Sequence, residues 1–137
     1  MEKKQFTLEI TTPQKNVVYE DVEAVTVPGS RGSFQVLFSH APLMSKVEIG
    51  EVKIRRPGGE TIYATSGGFF EVSNNRATLL VETLEKAEEI DVERAEAAAQ
   101  RAKQRIANPQ PDIDISRAEA ALARALNRLR ISRKKMV

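Results

Sequence analysis

The sequence contains no cysteine and no tryptophan, and it has a single histidine, His40, among its 137 residues. Without cysteine there can be no disulfide and no thiolate metal site, which fits a reducing compartment. One histidine without clustered carboxylates gives no metal-ligand pattern, so we expect no metal site. The sequence also lacks a Gly-x-x-x-x-Gly-Lys-Ser/Thr phosphate loop and a recognisable nucleophile–base pair. We therefore predict no catalytic residue and no required cofactor.

Long hydrophobic runs are absent as well. No apolar run approaches the ~18 residues that a membrane-spanning helix needs. The chain passes from Met1 directly into an alternating pattern at Phe6, so we expect no signal or import segment. The basic stretch 128–135 could favour an anionic membrane surface, but its few apolar neighbours make direct membrane insertion an unfavoured alternative.

The charges of one sign nearly balance those of the other. The formal net charge is +2, which argues against nucleic acid as the main partner. The distribution is uneven, since residues 1–84 carry 9 basic and 10 acidic side chains and residues 85–137 carry 12 and 9. All aromatic residues and all glycines lie before residue 71, and alanine dominates after Glu85. The composition thus predicts two domains, 1–84 and 85–137.

The first domain shows the alternation of apolar and polar residues that is typical of half-buried strands. Turn signals rich in glycine, proline and asparagine separate these stretches. We predict an antiparallel β-sandwich or flattened barrel. The alternating sets are Phe6-Leu8-Ile10, Phe34-Val36-Phe38, Val52-Ile54, Ile62-Ala64 and Ala77-Leu79-Val81.

The second domain shows helical periodicity on both sides of a proline-containing break at residues 108–112. Asp91 is the predicted N-cap of a first helix that runs to about Ala107, and a second helix is expected to begin near Asp114 or Ser116. The short break favours an antiparallel two-helix hairpin, which makes the whole chain α+β. The predicted contact positions are Ala95, Ala98, Ala102 and Ile106 on the first helix and Ile115, Ala118, Leu122, Ala125 and Leu129 on the second.

This predicted helix–helix contact is made largely of alanine. Apolar burial contributes ~25 cal/mol per Å², so alanine contacts give little free energy against the entropy of docking. Alanine, leucine, arginine and glutamate are also strong helix formers, so each helix can persist after the two separate. The sequence predicts a hairpin that is marginal by itself and able to open or extend.

Arginines recur beside this contact on both helices. At ~100° per residue, the members of each set fall on one face within about 40°. A folded hairpin could bring both sets to one side and create a site for a polyanion. The alternative is a solvated face in which the arginines pair with glutamates at positions 93, 96 and 119. The two sets are Arg94, Arg101 and Arg105, and Arg117, Arg124 and Arg128.

Four segments of the chain resemble the epsilon subunits of F-type ATP synthases. Residues 32–43, Gly-Ser-Phe-Gln-Val-Leu-Phe-Ser-His-Ala-Pro-Leu, are similar to the family's Gly-x-x-Gly-Ile-Leu-x-x-His-Ala-Pro-Leu. Gln35 replaces the second glycine, and Ser33 stands where an acidic residue is common. The other segments are Thr12-Pro13 followed by Val18-Tyr19, Ser66-Gly-Gly-Phe-Phe-Glu-Val72, and Ile90-Asp-Val-Glu-Arg-Ala95. Their order and spacing cover essentially the whole chain.

The resemblance implies a non-catalytic subunit of the central stalk. In this family the sandwich docks on the gamma subunit and on the c-subunit ring. The hairpin extends along gamma toward the alpha and beta subunits and suppresses ATP hydrolysis. The implied location is the cytoplasmic face of a bacterial plasma membrane, with the stromal face of a plastid thylakoid as the alternative.

The resemblance also implies two sets of site residues. In some bacterial members an Ile/Leu-Asp-x-x-Arg-Ala motif forms part of a regulatory ATP site. The corresponding candidates here are Glu85, Ile90, Asp91, Arg94, Ala95, Arg101, Arg124 and Arg128. The candidates for contact with other subunits are Arg31, Ser33, His40 and Pro42.

Two further alternatives stay open at this point. In the extended state the arginines of the second helix could contact acidic residues of the beta subunit instead of a nucleotide. Outside the family, the chain could be a generic binding module in which a sandwich carries a helical tail that recruits an unrelated protein. Co-purification with gamma separates this last reading from the family reading.

Overall fold

The computed structural model describes the backbone of residues 4–136 and the side chains of residues 4–134. The first 86 residues contain the strands, and the helices follow, as the composition predicted. The strands are β1 (Phe6–Thr11), β2 (Asn16–Val22), β3 (Ala24–Gly29), β4 (Gly32–Leu37), β5 (Leu43–Val47), β6 (Gly50–Arg56), β7 (Gly59–Thr65), β8 (Gly68–Ser73), β9 (Arg76–Val81) and β10 (Leu84–Lys86).

The strands form two five-stranded sheets that pack face to face. Sheet A has the order β2-β1-β9-β8-β5, and sheet B has the order β10-β7-β6-β3-β4. The predicted sandwich is therefore confirmed. One pairing differs from the expectation of an antiparallel arrangement, because β1 and β9 run parallel, with Leu8 opposite Ala77.

The predicted turns have clear physical causes. Asn74 and Asn75 connect β8 to β9 with φ angles of 52° and 60°, the left-handed conformation of a tight hairpin turn. At Gly68 a Cβ atom would lie 2.0 Å from the carbonyl oxygen of Leu80, so a side chain does not fit where β8 begins beside β9. This contact explains why glycine stands at position 68.

The main core lies between the two sheets and consists of large apolar side chains. Leu8, Ile54, Phe70 and Leu79 are nearly or completely buried, and Phe34 meets Phe70 edge to face at a ring separation of 5.9 Å. The alternation predicted these inward positions because successive strand residues point to opposite faces. The prediction that Phe38 continues the buried face of β4 is wrong, since β4 ends at Leu37 and Phe38 is 38% exposed.

A short 3-10 helix at Ala87–Glu89 leads from β10 into helix α1 (Val92–Ala107). The carboxylate of Asp91 accepts a hydrogen bond from the backbone N–H of Arg94 at 3.0 Å, which confirms the predicted N-cap. Helix α2 (Ile115–Ser132) begins after Asp114, whose carboxylate caps the N–H of Arg117 at 3.2 Å. A second 3-10 helix, Arg133–Met136, follows α2.

The two helices form the predicted hairpin, and alanine dominates their contact. On α1 the buried positions are Ala95, Ala99 and Ala102, so the prediction of Ala98 is displaced by one residue. On α2 the predicted Ala118 and Ala125 are buried, while Ile115, Leu122 and Leu129 are half-buried. We call the buried alanines at positions 95, 99, 102, 118 and 125 the alanine seam.

The hairpin rests on the outer face of sheet B through the end of α2. Ile131 is completely buried in a small second cluster with Ala64 of β7 and with Ala87 and Ile90 of the connection. Tyr63 points into the main core, whereas the neighbouring Ala64 points outward. The burial of Ala64 therefore comes from the connection and the hairpin.

Candidate functional site

A cleft of about 490 Å³ opens between the two helices next to the sandwich. We call it the basal cleft. Its volume falls in the range of about 300–1,000 Å³ that is typical of small-molecule sites. Its walls come from β10, the connection, the part of α1 up to Arg101 and one residue of α2. The lining residues are Glu85, Glu89, Asp91, Arg94, Ala95, Ala98, Arg101 and Arg128.

The helix geometry explains why arginines line this cleft. Arg94 and Arg101 are two turns apart on α1 and therefore share a face, and Arg128 approaches from α2. The Nε of Arg128 donates a hydrogen bond of 2.6 Å to a carboxylate oxygen of Glu85. Among the described side chains, no carboxylate forms an ion pair with Arg94 or Arg101. Arg94 and Arg101 thus line the cleft without an ion-pair partner among the described side chains.

The carboxylates of the cleft limit how strongly it attracts anions. Glu85, Glu89 and Asp91 contribute as many formal negative charges as Arg94, Arg101 and Arg128 contribute positive ones. A phosphate that binds Arg128 must compete with Glu85, which already forms a short ion pair there. Asp91 also accepts the N-cap hydrogen bond. The cleft therefore carries no formal net charge, and any attraction for an anion depends on where the arginines lie within it.

Most of the predicted ATP-site residues come together in this cleft, but two of them do not line it. Ile90 is 4% exposed and packs in the cluster beneath α2, so it supports the cleft from behind. Arg124 lines a second cleft of about 520 Å³ nearer the helix–helix loop, together with Arg105 and Arg117. The proposed ATP contacts themselves stay predictions.

The candidate interface residues follow one edge of the sandwich. Arg31 lies in the two-residue turn between β3 and β4, and Ser33 is near the start of β4. His40 and Pro42 lie in the segment that crosses from sheet B to sheet A, and the Nδ1 of His40 is 2.6 Å from the carbonyl oxygen of Ala41. Arg31, Ser33 and Pro42 are exposed and His40 is half-buried. Their positions leave them accessible to another subunit.

The sequence reasoning missed an apolar patch on the outer face of sheet A. Met44, Phe69 and Leu80 are 71%, 58% and 51% exposed. Phe69 pairs directly with Leu80, and Met44 is diagonal to Phe69 on the adjacent strand. The signal was present in the doublets Phe69-Phe70 and Leu79-Leu80, which break the alternation and place an apolar residue on each face. Such a patch is typical of a protein–protein contact.

A cluster of polar side chains on the sandwich shifts the pKa values of Arg56 and Tyr63. The carboxylate of Asp21 accepts two hydrogen bonds from Arg56, at 2.8 and 3.3 Å, and these raise the pKa of Arg56. The guanidinium of Arg56 also lies 4.2 Å from the centre of the Tyr19 ring. Burial, together with the neighbouring Tyr19, raises the pKa of Tyr63 to about 12. These contacts stabilise the sandwich and lie outside the basal cleft.

Within residues 4–136 no helix is both long and apolar enough to cross a membrane. Within the described side chains no group of three or more histidines, cysteines or acidic residues has the arrangement of a metal site.

Comparisons with known proteins match both domains. The family model of the beta-sandwich domain of the ATP synthase delta/epsilon chain matches residues 5–87, and the model of its long alpha-helix domain matches residues 88–133. The two models meet three residues after the division predicted at 84/85, and β10 spans that division. The exact domain boundary stays a prediction.

Curated relatives cover most of the chain. The chain is 48% identical over 107 residues to the ATP synthase epsilon chain of Pelotomaculum thermopropionicum, covering 78% of this chain and 80% of that one. It is 45% identical over 101 residues to the epsilon chain of Desulfitobacterium hafniense strain Y51, covering 74% and 76%.

Solved structures share the fold. A chain in the cryo-EM structure of the Euglena gracilis mitochondrial ATP synthase (OSCP/F1/c-ring) superposes with a TM-score of 0.77 at 23% identity, covering 90% of this chain and 78% of that one. A chain of the Tetrahymena thermophila central stalk and c-ring gives a TM-score of 0.59 at 18% identity over the full length of both chains. With both family models and these relatives in agreement, the chain belongs to the epsilon-chain family of F-type ATP synthases.

Proposed function

We propose that this chain is a non-catalytic subunit of the ATP synthase central stalk that links the catalytic head to the proton-driven rotor ring and inhibits ATP hydrolysis by moving its hairpin. The observation that carries this proposal is the division of the molecule into two bodies. The sandwich has its own core of large side chains, and the hairpin is attached through a small separate cluster around Ile131. A rigid body can transmit torque while the second body changes position.

Two surfaces of the sandwich suit attachment to the rotor. The apolar patch of Met44, Phe69 and Leu80 offers a broad hydrophobic contact for the gamma subunit. The exposed turn containing Arg31 and Ser33 offers a polar contact for the c-subunit ring. The subunit then lies at the cytoplasmic face of the bacterial plasma membrane, with the stromal face of a plastid thylakoid as the alternative.

The hairpin supplies the regulation. When it leaves sheet B, α1 and α2 separate at the alanine seam and extend along gamma, so that the arginines of α2 contact the alpha and beta subunits. Separation at the seam exposes mostly methyl groups, which keeps its cost low. The capped helices keep their own hydrogen bonds during this movement.

ATP acts as a regulatory ligand of the docked state in this proposal. The phosphates bind Arg94 and Arg101 and compete with Glu85 for Arg128, while the adenine lies against Ala95 and Ala98. The cleft requires both helices and β10, so it exists in the docked state alone. A ligand that binds one state shifts the population toward that state. ATP therefore favours the docked, non-inhibiting hairpin without being hydrolysed.

The inhibitory role is tested by measuring ATP hydrolysis of the catalytic head reconstituted with gamma and with either the full chain or a chain that ends at residue 87. This truncation keeps β10 paired with β7. We expect higher hydrolysis with the truncated chain, because the inhibitory helices are missing. Co-purification of the truncated chain with gamma is the control for assembly. Equal hydrolysis by the two complexes would remove the inhibitory role.

The nucleotide role is tested by titrating the isolated chain with ATP up to millimolar concentration and following the backbone amide resonances of Arg94 and Arg101. We expect saturable shifts, and Arg101→Gln should weaken binding about tenfold because a charged hydrogen-bond donor is lost. Arg105→Gln is the matched control, since Arg105 is on the same helix and lines the other cleft. No saturable shift in the unsubstituted chain, or equal weakening by both substitutions, would contradict the proposal.

A further inference from the structure

The last part of α2 and the residues that follow it contact sheet B through polar groups. We call residues 127–134 the docking segment. Its polar contacts reach three neighbouring strands: Asn127 bonds to β6 and β7, Arg128 to β10, and Lys134 to β6. Two of these contacts are ion pairs, Arg128 with Glu85 and Lys134 with Glu51.

Asn127 differs from Arg128 and Lys134 because it is uncharged and buried, with 8% of its surface exposed. Its Nδ2 donates a hydrogen bond of 2.8 Å to the carbonyl oxygen of Gly50 and a longer one of 3.5 Å to that of Thr65. Its Oδ1 accepts a bond of 2.8 Å from Arg130. Asparagine is a poor helix former, so helix propensity does not explain this residue.

The two acceptors, the carbonyl oxygens of Gly50 and Thr65, lie next to each other on sheet B. Gly50 begins β6, Thr65 ends β7, and the two residues face each other across the strand pair. A carboxamide that donates to both carbonyls can do so at one position of the helix along the sheet. Shifting or rotating α2 breaks both of these hydrogen bonds and leaves the buried carboxamide of Asn127 without its acceptors on sheet B, which is costly.

We propose that Asn127 is the positioning residue that fixes the docked hairpin on sheet B, and that release of its hydrogen bonds to Gly50 and Thr65 accompanies every departure of the hairpin. The inference rests on the proposed function only in assuming that the hairpin leaves. The two ion pairs are partly exposed and weaken in salt. Asn127 sets the position of α2 independently of ionic strength.

This role also connects docking to the basal cleft. Asn127 precedes Arg128, which lines the cleft, so a movement of α2 that breaks the bond to Gly50 also removes Arg128 from Glu85. Loss of the Asn127 contact lowers the fraction of chains in which the cleft is complete. A ligand of the docked state then binds with an apparent affinity reduced by that fraction.

The test uses the absence of natural cysteine. Ala64→Cys places the single thiol of the chain under the docking segment, and its rate of reaction with a thiol reagent reports how often the hairpin leaves. In this background Asn127→Ala should raise the labelling rate about tenfold, because the two hydrogen bonds that hold α2 on sheet B are lost. Asn127→Asp should raise it further, since a carboxylate repels the same carbonyls.

Ser132→Ala is the matched control. Ser132 is also buried near the end of α2, but its hydroxyl donates to Leu129 of the same helix, so its removal should leave the labelling rate unchanged. Unchanged amide resonances of sheet A confirm that each variant keeps its sandwich. Labelling of the Asn127 variants at the rate of the Ser132→Ala variant would overturn the inference. Faster labelling with unchanged inhibition in the reconstituted complex would uphold it and contradict the proposed function instead.

Discussion

The sandwich and the hairpin of this chain are stabilised by different amounts of buried surface per residue. The sandwich core contains phenylalanine, leucine, isoleucine and valine, several of them completely buried. The hairpin is held by the alanine seam and by one large buried side chain, Ile131. Apolar burial stabilises roughly in proportion to the area buried. A buried residue of the sandwich core therefore stabilises its domain far more than a buried alanine stabilises the hairpin.

Within the hairpin, the contact between the two helices and the contact with sheet B differ in kind. Along most of its length the helices meet through methyl groups, whereas the docking segment combines Ile131, Asn127 and two ion pairs. We infer from this difference that separation of the helices at the alanine seam and departure of the hairpin from sheet B are two steps, each with its own free energy. The sequence suggested a hairpin that is marginal by itself, and the structure locates its attachment in the last turns of α2.

The largest expected effect is on the sandwich core. Phe70→Ala should lower the free energy of unfolding by about 3–5 kcal/mol, because it leaves a cavity between the sheets beside Phe34. Urea denaturation of the isolated chain measures this loss. Phe69→Ala is the matched control, with a side chain 58% exposed, and should change the stability by about 0.5 kcal/mol or less. Similar losses for the two variants would refute the assignment of the core.

The next effect concerns the docking segment. Ile131→Ala should weaken docking by about 2–3 kcal/mol, since a completely buried side chain is truncated in the small cluster over sheet B. The hairpin-to-sandwich distance, measured between spin labels at Gln14→Cys and Glu119→Cys during a urea titration, should show release at lower urea.

The control for this prediction is Leu126→Ala on the same helix, where the side chain is 45% exposed. Its release midpoint should match that of the unsubstituted chain. If Ile131→Ala also leaves the midpoint unchanged, the cluster does not hold the hairpin.

A smaller effect is expected at the alanine seam. Ala99→Leu should cost about 1–3 kcal/mol of helix–helix contact, because a larger side chain forces α1 away from α2. If the seam and the docking segment are separable, α1 amide resonances should shift while the Gly50 amide stays in place. Ala97→Leu, at an exposed position of α1, is the control. A Gly50 shift as large as that of α1 would show that the two contacts act as one.

The smallest effect appears at alkaline pH and is confined to the sandwich, which contains both tyrosines. Burial raises the pKa of Tyr63 to about 12, above the value near 10 in an unfolded chain. Between pH ~10 and 12 the native state therefore keeps a proton on Tyr63 that the unfolded state loses. The contribution of Tyr63 to the free energy of unfolding is complete below pH ~10 and is lost as the pH rises toward 12. Absorbance at the tyrosinate band should show one residue titrating late, and Tyr63→Phe should remove that phase. Titration of both tyrosines together near pH 10 would contradict the raised pKa of Tyr63.

Much of the fold could be predicted because local patterns determine it. Alternation identified Leu8 and Leu79 as inward residues, and the capping pattern identified Asp91, since both signals depend on neighbours in the sequence. The parallel pairing of β1 with β9 could not be predicted, because alternation with period two is the same for either strand direction. The shift from Ala98 to Ala99 arises because adjacent alanines give no contrast in size.

The candidate site was predictable in part. The helical period placed Arg94 and Arg101 on one face of the first helix and Arg128 on the second helix, and the structure brings these three together. Their expected neighbours Arg105, Arg117 and Arg124 line the other cleft instead. The attachment through Asn127 could not be predicted, because an asparagine close to Arg128 and Arg130 in the sequence is typical of the solvent-exposed face of a helix. Its role depends on carbonyl groups 62 and 77 residues away in the chain.

Native-state hydrogen exchange of the isolated chain tests most directly whether the hairpin is the separable body. The account predicts that amides of α1 and of the first half of α2 exchange fastest, those of the docking segment more slowly, and those of β6 and β8 slowest of all, through global unfolding. ATP should slow exchange in the helices and leave the strands unchanged. Equal protection of helices and strands, with or without ATP, would contradict the account.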